Sequence, residues 1–153
     1  MANTYHQLYV QTVFAVKFRA AVIEPKWQKQ FCGVIGNLIN ETGCKTIIVN
    51  GVEDHVHCFF GLLPTLAILD VIQNIKATSS GWLNKQNLIK NRFEWQTGYG
   101  AFSYSRSHIN NVYQYILNQQ AHHKKQSFKV EYLELLKSFD IKYNHQYLFH
   151  DLI

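Results

Sequence analysis

The chain is predicted to fold as an α+β domain, and three features of its sequence point that way. From Tyr5 to Val16 apolar and polar or aromatic side chains alternate residue by residue, the period of a strand with two distinct faces. Two stretches with apolar residues at helical spacing, 25–42 and 66–88, each lie between strand-like runs. Gly43, Pro64, Gly98 and Gly100 fall where such elements end or bend.

In the first strand His6, Leu8, Val10, Thr12, Phe14 and Val16 point one way, and Tyr5, Gln7, Tyr9, Gln11, Val13 and Ala15 the other. One face is therefore apolar and one aromatic and polar, and Lys17-Phe18-Arg19 closes the strand with two positive charges. Pro25 opens a helix that runs to about Thr42, because proline at a first helical position has its φ already set and gives up no needed donor. Its buried stripe is Trp27, Phe31, Val34, Ile35, Leu38 and Ile39, with Gly43 as the stop. Lys45 to Val52 reads as a second strand and His55 to Leu63 as a third, ended by Pro64. The turn between them lies at Asn50-Gly51 or at Glu53-Asp54.

The second helix, Leu66 to about Leu88, turns Leu66, Leu69, Ile72, Ile75 and Trp82 inward and leaves Lys76 and Lys85 in solvent. Phe93 to Tyr104, aromatic and interrupted by glycine, suits a fourth strand with a bulge or sharp bend. A third helix, capped by Ser105 or Ser107, runs to about His122 and the basic turn His122-His123-Lys124-Lys125. A last helix spans roughly Phe128 to Lys137, and the tail from Asp140 to Ile153 is free to add a strand or lie across a partner. The order β-α-β-β-α-β is the split βαβ, ferredoxin-like arrangement, an antiparallel sheet with two helices on one face and the other face open. No repeat or internal boundary is visible, so 1–153 reads as a single domain with a core, 1–106, and an appended helical segment, 107–153.

A chain of 153 residues suits one domain, and 47% hydrophobic with 14% aromatic residues describes a folded globule. Fifteen Lys and Arg against ten Asp and Glu give a formal charge of +5, which fits an anionic partner such as nucleic acid. Cys32, Cys44 and Cys58 sit in apolar surroundings at no metal-ligand spacing and read as reduced core residues of a cytoplasmic protein. No signal peptide and no apolar run of membrane-spanning length is evident.

The chemistry gathers at two places. In Asp54-His55-Val56-His57 the histidines alternate and so project together, opposite an apolar face of Val56, Cys58, Phe60 and Leu62. Such a pair is either a metal-ligand pair on a sheet face or two partly buried histidines. On the third helix Ile109, Val112, Tyr113, Ile116 and Leu117 share one side, and His108, Asn111, Tyr115, Asn118, Gln119 and His122 the other. Tyr115 precedes Gln119 by one helical turn, which sets phenol beside amide; taken alone, the helix favours reading both as surface residues. Together the two places say more: two neutral imidazoles and an amide oxygen can hold a divalent cation, and a nearby tyrosine can act as a nucleophile on a phosphodiester that the cation polarises. His122 is an alternative ligand or phosphate contact, whereas His6, His145 and His150 have no partner at ligand spacing.

These residues carry a resemblance. His55-Val56-His57 resembles the histidine-hydrophobic-histidine motif of HUH nucleases, and Tyr115-Ile116-Leu117-Asn118-Gln119 is similar to the single-tyrosine motif of the IS200-like (IS200/IS605) transposases. Lys17-Phe18-Arg19 and the lysine-bearing stretch Gln73 to Ser80 are similar to further parts of that family's pattern. The resemblance implies cleavage and rejoining of single-stranded DNA with hairpin ends during transposition. On that basis Tyr115 attacks a phosphodiester to give a 5′-phosphotyrosine and a free 3′-hydroxyl, while His55, His57 and Gln119 hold Mg²⁺ or Mn²⁺. A second strand end then attacks the phosphotyrosine, so no nucleotide cofactor is needed. The family forms homodimers, with histidines and tyrosine drawn from one chain or from two. Arg19 and Lys76 lead the candidates for DNA phosphate contacts because they match basic positions of the pattern; Lys17 and Arg106 follow, then Lys85, Arg92, Lys124 and Lys125. Tyr5 and Tyr9 are placed to stack on unpaired bases. Two other readings stand beside this one: a nucleic-acid-binding module without cleavage activity, and a domesticated relative that processes hairpins in its host's chromosome.

Overall fold

The structure, a computed structural model, describes residues 4–144. Strand β1 (Tyr9–Ala15) is rich in β-branched and aromatic residues that suit a pleated surface, and it pairs on both sides. Its partners are β3 (His55–Gly61) and β4 (Gly100–Tyr104), and β2 (Lys45–Gly51) completes the order β2-β3-β1-β4 with all neighbours antiparallel. The first strand begins at Tyr9, later than the alternation from Tyr5 predicts, because the β3 ladder ends opposite Tyr9 at Gly61; Tyr5 lies out in solvent. Between β2 and β3, Val52 N–H bonds to His55 C=O at 3.1 Å, which puts the turn at Glu53-Asp54 and keeps Asn50 within a strand.

Helix α1 (Pro25–Glu41) starts on its proline and stops before Gly43, whose φ of 100° is available to glycine at little cost. With α2 (Ile68–Lys85) it covers the sheet face formed by Phe14, Val16, Val56, Cys58 and Phe60. Phe31 sits at the centre of this core, stacked on Trp82 and Trp95 and meeting Trp27 and Phe93 edge-on. Two expectations for α2 change. Leu69 is half exposed, and Lys76 is half-buried: its ammonium donates to Gln96 C=O at 2.8 Å and to Gly98 C=O, 5.5 Å from the Phe14 ring. Lys76 thereby holds the irregular segment that takes the place of the first half of the predicted fourth strand. Asn84 fixes the start of that segment by bonding both backbone groups of Phe93.

The opposite sheet face is roofed, where the sequence reading leaves it open. Helices α3 (Ile109–Leu117), α4 (Gln119–His122) and α5 (Phe128–Ser138) lie over it. Val112 and Ile116 pack on Phe59, and Phe128 and Leu136 pack on Val13, Ala15 and Phe102. The cause is in the strands: the supposedly polar face of β1 carries Val13 and Ala15 beside Phe59 of β3, and leaving it bare would expose a large apolar surface. The single third helix of the prediction is broken at Asn118 (φ −94°, ψ 20°). Gln119 is buried and Leu117 exposed, the reverse of the sides assigned to them, because Gln119 follows Val112 and Ile116 by seven and three residues and shares their side, while Leu117 lies about 100° round from Ile116.

Asn50 secures the break. Its Nδ2 donates to the C=O groups of Ile116 (2.8 Å) and Leu117 (3.2 Å), while its Oδ1 accepts from Gln28 Nε2 (2.9 Å) and Gln120 Nε2 (2.8 Å). Ser127 caps α5, its Oγ accepting from Val130 N–H at 3.3 Å. Cys32, Cys44 and Cys58 are free and buried. Among the described residues no helix is long and apolar enough to cross a membrane. The end of the tail, with His145 and His150, lies outside the described residues.

Candidate active site

Strand β3 aims His55 and His57 into the space beneath the roof, where neither has measurable exposure. Three imidazole nitrogens converge there on a single oxygen, Glu131 Oε1: His57 Nε2 at 2.9 Å, His123 Nε2 at 3.0 Å and His55 Nε2 at 3.2 Å. The other oxygen, Oε2, accepts from the Tyr115 hydroxyl and from Gln119 Nε2 (3.1 Å), with His122 Nε2 3.5 Å away. One carboxylate on α5 thus joins the strand histidines to the helix carrying Tyr115.

The two strand imidazoles are oriented from behind. Asp54 Oδ1 lies 2.7 Å from His55 Nδ1, so that nitrogen carries a proton and Nε2 faces the centre. Tyr104 donates to Gln11 Oε1 at 2.7 Å, and Gln11 Nε2 donates to His57 Nδ1 at 2.9 Å, which leaves the His57 proton on Nε2, toward Glu131. Phe128 stacks on His55 with centroids 4.4 Å apart, and the His57 and Tyr115 rings meet edge-on at 5.8 Å. The ring planes are therefore fixed by packing as well as by hydrogen bonds.

The charges follow from the geometry. Burial alone would raise the Glu131 pKa, but hydrogen bonds from His123, His55 and His57 overcome it and hold the carboxyl well below the usual range. Burial opposes a charged His55, yet its bonds to Asp54 and Glu131 prevail and lift it above its ordinary value. His57 is buried among other imidazoles and goes the other way, below its ordinary value despite Glu131. Burial and the negative Glu131 push the Tyr115 phenol up, so it holds its proton until something nearby takes it.

The donor set fits a divalent cation. One ligand atom each from His55, His57, His123 and Glu131 lies within 4.8 Å of the others, the spacing of atoms around a common centre. Gln119 Oε1 is buried and has no hydrogen-bond partner among the described residues. A buried amide oxygen without a donor is costly by about 1–3 kcal/mol, and a cation beside it would remove that cost.

The four residues singled out in the sequence, His55, His57, Tyr115 and Gln119, thus meet around one carboxylate, Glu131. His123 and Glu131 escaped the sequence reading. Glu131 stands three residues after Phe128 on the buried side of α5, and a carboxylate at a core position is the signal that exposes it. His123 was hidden in a run of two histidines and two lysines, of which His122 drew attention; His122 instead lies against the Tyr115 ring at 5.2 Å. Among the proposed DNA contacts, Lys17 pairs with Glu94 at 3.2 Å, and Arg19 is half-buried in a left-handed turn with φ 52°. Lys76 and Arg92 line a groove of about 590 Å³ with Trp95 and Tyr99, and Arg106 lines one of about 380 Å³ with Tyr9 and Lys45.

Comparison with known proteins agrees with this architecture. A candidate transposase from Deinococcus radiodurans R1 superposes with a TM-score of 0.64 at 19% identity, over 78% of this chain and 95% of that one. A REP-associated tyrosine transposase bound to a REP hairpin gives 0.58 at 12% identity, over 80% of this chain and 73% of the other. At such identities the likeness is one of fold. A search of curated proteins finds no match. The family model described as "Transposase IS200 like" matches residues 4–119, a span that takes in both strand histidines and the tyrosine helix and ends on Gln119; the chain belongs to the IS200-like transposase family.

Proposed function

We propose that the chain cleaves and rejoins single-stranded DNA, with Tyr115 as nucleophile. The observation that carries this reading is that one side chain, Glu131, touches the Tyr115 phenol with one oxygen and His55 and His57 with the other, so nucleophile and histidine pair face the same small space. The Tyr115 oxygen attacks phosphorus as its proton passes to water, the phenol being held in place by its hydrogen bond to Glu131 Oε2. A new O–P bond forms, the bond to the 3′-oxygen breaks, and that oxygen leaves with the electron pair and takes a proton from water. The product is a 5′-phosphotyrosine and a free 3′-hydroxyl. Rejoining reverses the order: a 3′-hydroxyl attacks the phosphotyrosine and gives its proton to water, and the departing Tyr115 oxygen takes a proton from water.

His55, His57 and Gln119 are the residues that would hold Mg²⁺ or Mn²⁺, which when bound neutralises charge developing on the phosphate. Asp54 and Gln11 keep the two imidazoles turned toward it. The hairpin held by the REP-associated neighbour supports a hairpin-ended substrate. Arg106 with Lys45, and Arg92 beside Lys76, are the proposed contacts to its phosphates, joined by Arg19 and Lys17. The chain acts as one domain and pairs as a homodimer, with histidines and tyrosine drawn from one chain or from two.

The test is a labelled single-stranded oligonucleotide with a hairpin end, incubated with protein and Mg²⁺, Mn²⁺ or EDTA. The expected result is a metal-dependent covalent adduct that Tyr115→Phe does not form. An adduct formed equally by Tyr115→Phe, or no adduct on any hairpin end from the chain's own genomic surroundings, refutes the reading and favours a binding module without cleavage activity.

A further inference from the structure

Resting on that reading, we propose that His123 and Glu131 join His55 and His57 as protein ligands, and that this set of three imidazoles and one carboxylate selects a first-row transition ion over Mg²⁺. Both added residues lie beyond residue 119, where the family match stops.

The geometry carries the ligand set. Three Nε2 atoms already surround one atom, Glu131 Oε1, at 2.9–3.2 Å; metal–imidazole bonds are about 2.0–2.1 Å long, so a cation takes that central place when Oε1 draws back to become its fourth ligand and the imidazoles close in by about 1 Å. His123 is as much a part of this ring as the strand histidines: its nitrogen meets the same oxygen, and its ring lies 4.5 Å from that of His55. Glu131 has almost no exposure and reaches the centre from the roof, opposite the strand.

The surroundings suit nitrogen ligation. A histidine that binds through Nε2 must carry its proton on Nδ1. For His55 the Asp54 carboxylate already accepts a hydrogen bond from Nδ1–H. For His57 the Gln11 amide, turned over, offers Oε1 to Nδ1–H, and the Tyr104 hydroxyl can accept from the displaced Nε2 as readily as it donates to Oε1. Gln119 Oε1 adds one oxygen donor beside the set.

The choice of ion follows from donor chemistry. Mg²⁺ prefers oxygen ligands in a near-ideal octahedron and gives up water reluctantly, whereas imidazole suits the later first-row ions. A site in which nitrogen outnumbers protein carboxylate therefore ranks Co²⁺ and Zn²⁺ above Mn²⁺, and Mn²⁺ above Mg²⁺.

The experiment is direct binding of MgCl₂, MnCl₂, CoCl₂ and ZnCl₂ to the purified chain by calorimetry and chelator competition, with the visible spectrum of the Co²⁺ form as a readout that needs no variant. Co²⁺ and Zn²⁺ are expected to bind roughly 100-fold or more tighter than Mg²⁺, and the Co²⁺ spectrum to show the intense bands of a low-coordinate nitrogen-rich site. Glu131→Gln and His123→Ala are each expected to weaken Co²⁺ binding by roughly tenfold or more, folding being checked by circular dichroism. Mg²⁺ binding within tenfold of Co²⁺, a weak octahedral Co²⁺ spectrum, or unchanged Co²⁺ affinity in both variants overturns the proposal. The adduct assay stands apart from this test: an adduct with unchanged variant affinities leaves strand cleavage intact and removes the enlarged ligand set, while the predicted binding without any adduct does the opposite.

Discussion

Replacing Asn50 by alanine should unfasten the tyrosine helix while leaving the histidines in place. In the native chain the Asn50 amide supplies donors to the last carbonyls of α3 and accepts from Gln28 and Gln120. Alanine removes all of these at once. At about 1 kcal/mol net for each lost bond, and with water taking over part of the job at this half-buried position, the loss comes to about 2–3 kcal/mol. For a chain of this size that lowers Tm by roughly 4–12 °C. The effect on chemistry should be larger than the effect on stability suggests, because Tyr115 sits only one residue before the first carbonyl released, and misplacing a reacting group by about 1 Å costs about 100-fold in rate. The assay pairs urea unfolding, followed by circular dichroism, with the rate of phosphotyrosine formation on a hairpin-ended oligonucleotide at a temperature where the variant is folded. Metal affinity should change little, since His55 and His57 are carried by β3. An adduct rate within twofold of wild type in a destabilised Asn50→Ala would show that the amide network serves folding alone, and unchanged stability would refute the ledger of bonds itself.

Gly51→Ala should be damaging at the other half of the site. A Cβ there would fall well inside contact distance of His55 C=O and at 2.8 Å from Val56 Cγ1, so the start of β3 must shift; a loss of about 1–3 kcal/mol in urea unfolding is expected together with weaker metal binding, and a variant equal to wild type in both would disprove the clash. Ser127→Ala should lower stability by about 1 kcal/mol through loss of the α5 cap and raise amide hydrogen exchange in the first turn of that helix, ahead of Glu131; unchanged exchange there would deny the cap its role. Alkali should destabilise the fold. Burial raises the Cys32 thiol to about 12 from an ordinary 9.0 and lifts Cys58 as well, so above pH 9 the unfolded chain releases protons that the native state keeps, and stability falls by about 1.4 kcal/mol per thiol per pH unit. Lys76 is brought down to about 8 by burial and offsets part of this, since the unfolded chain holds its proton up to higher pH. The net slope between pH 9 and 10 should be negative and should flatten in Cys58→Ala; a stability that rises over this interval would contradict the assignment.

Where local periodicity and tertiary packing agree, the sequence could be read. The alternation at His55-Val56-His57 put both imidazoles on one face, and Pro25 and Gly43 marked the two ends of α1, because strand pleat and terminal backbone geometry are set by neighbours in the chain. The break at Asn118 could not be read that way. Nothing in Tyr115-Ile116-Leu117-Asn118-Gln119 forbids a continuous helix, and the bend is stabilised by Asn50 and Gln120, of which the first lies on another element of the fold. The roof over the sheet was missed for a related reason: Gln11 on the same face suggested solvent, whereas it is buried and spent on His57 and Tyr104. Glu131 shows the limit most plainly, since a single glutamate in an amphipathic helix resembles any surface charge until its helix is docked.

The aromatic core around Phe31 has a practical consequence for how this molecule can be watched. All three tryptophans, Trp27, Trp82 and Trp95, gather on the α1–α2 side of the sheet. The opposite layer, which holds Tyr104, Tyr115 and Tyr132, contains no indole among the described residues. Indole emission therefore reports on one layer, and a partial opening that lifts α3 to α5 from the sheet would pass without a change in it. Near-ultraviolet dichroism, to which Tyr104, Tyr115 and Tyr132 contribute, includes the other layer, and the two signals coincide during denaturation only if both layers come apart together. The sheet is in effect a partition between two optically separate halves, one built for stability and one for chemistry.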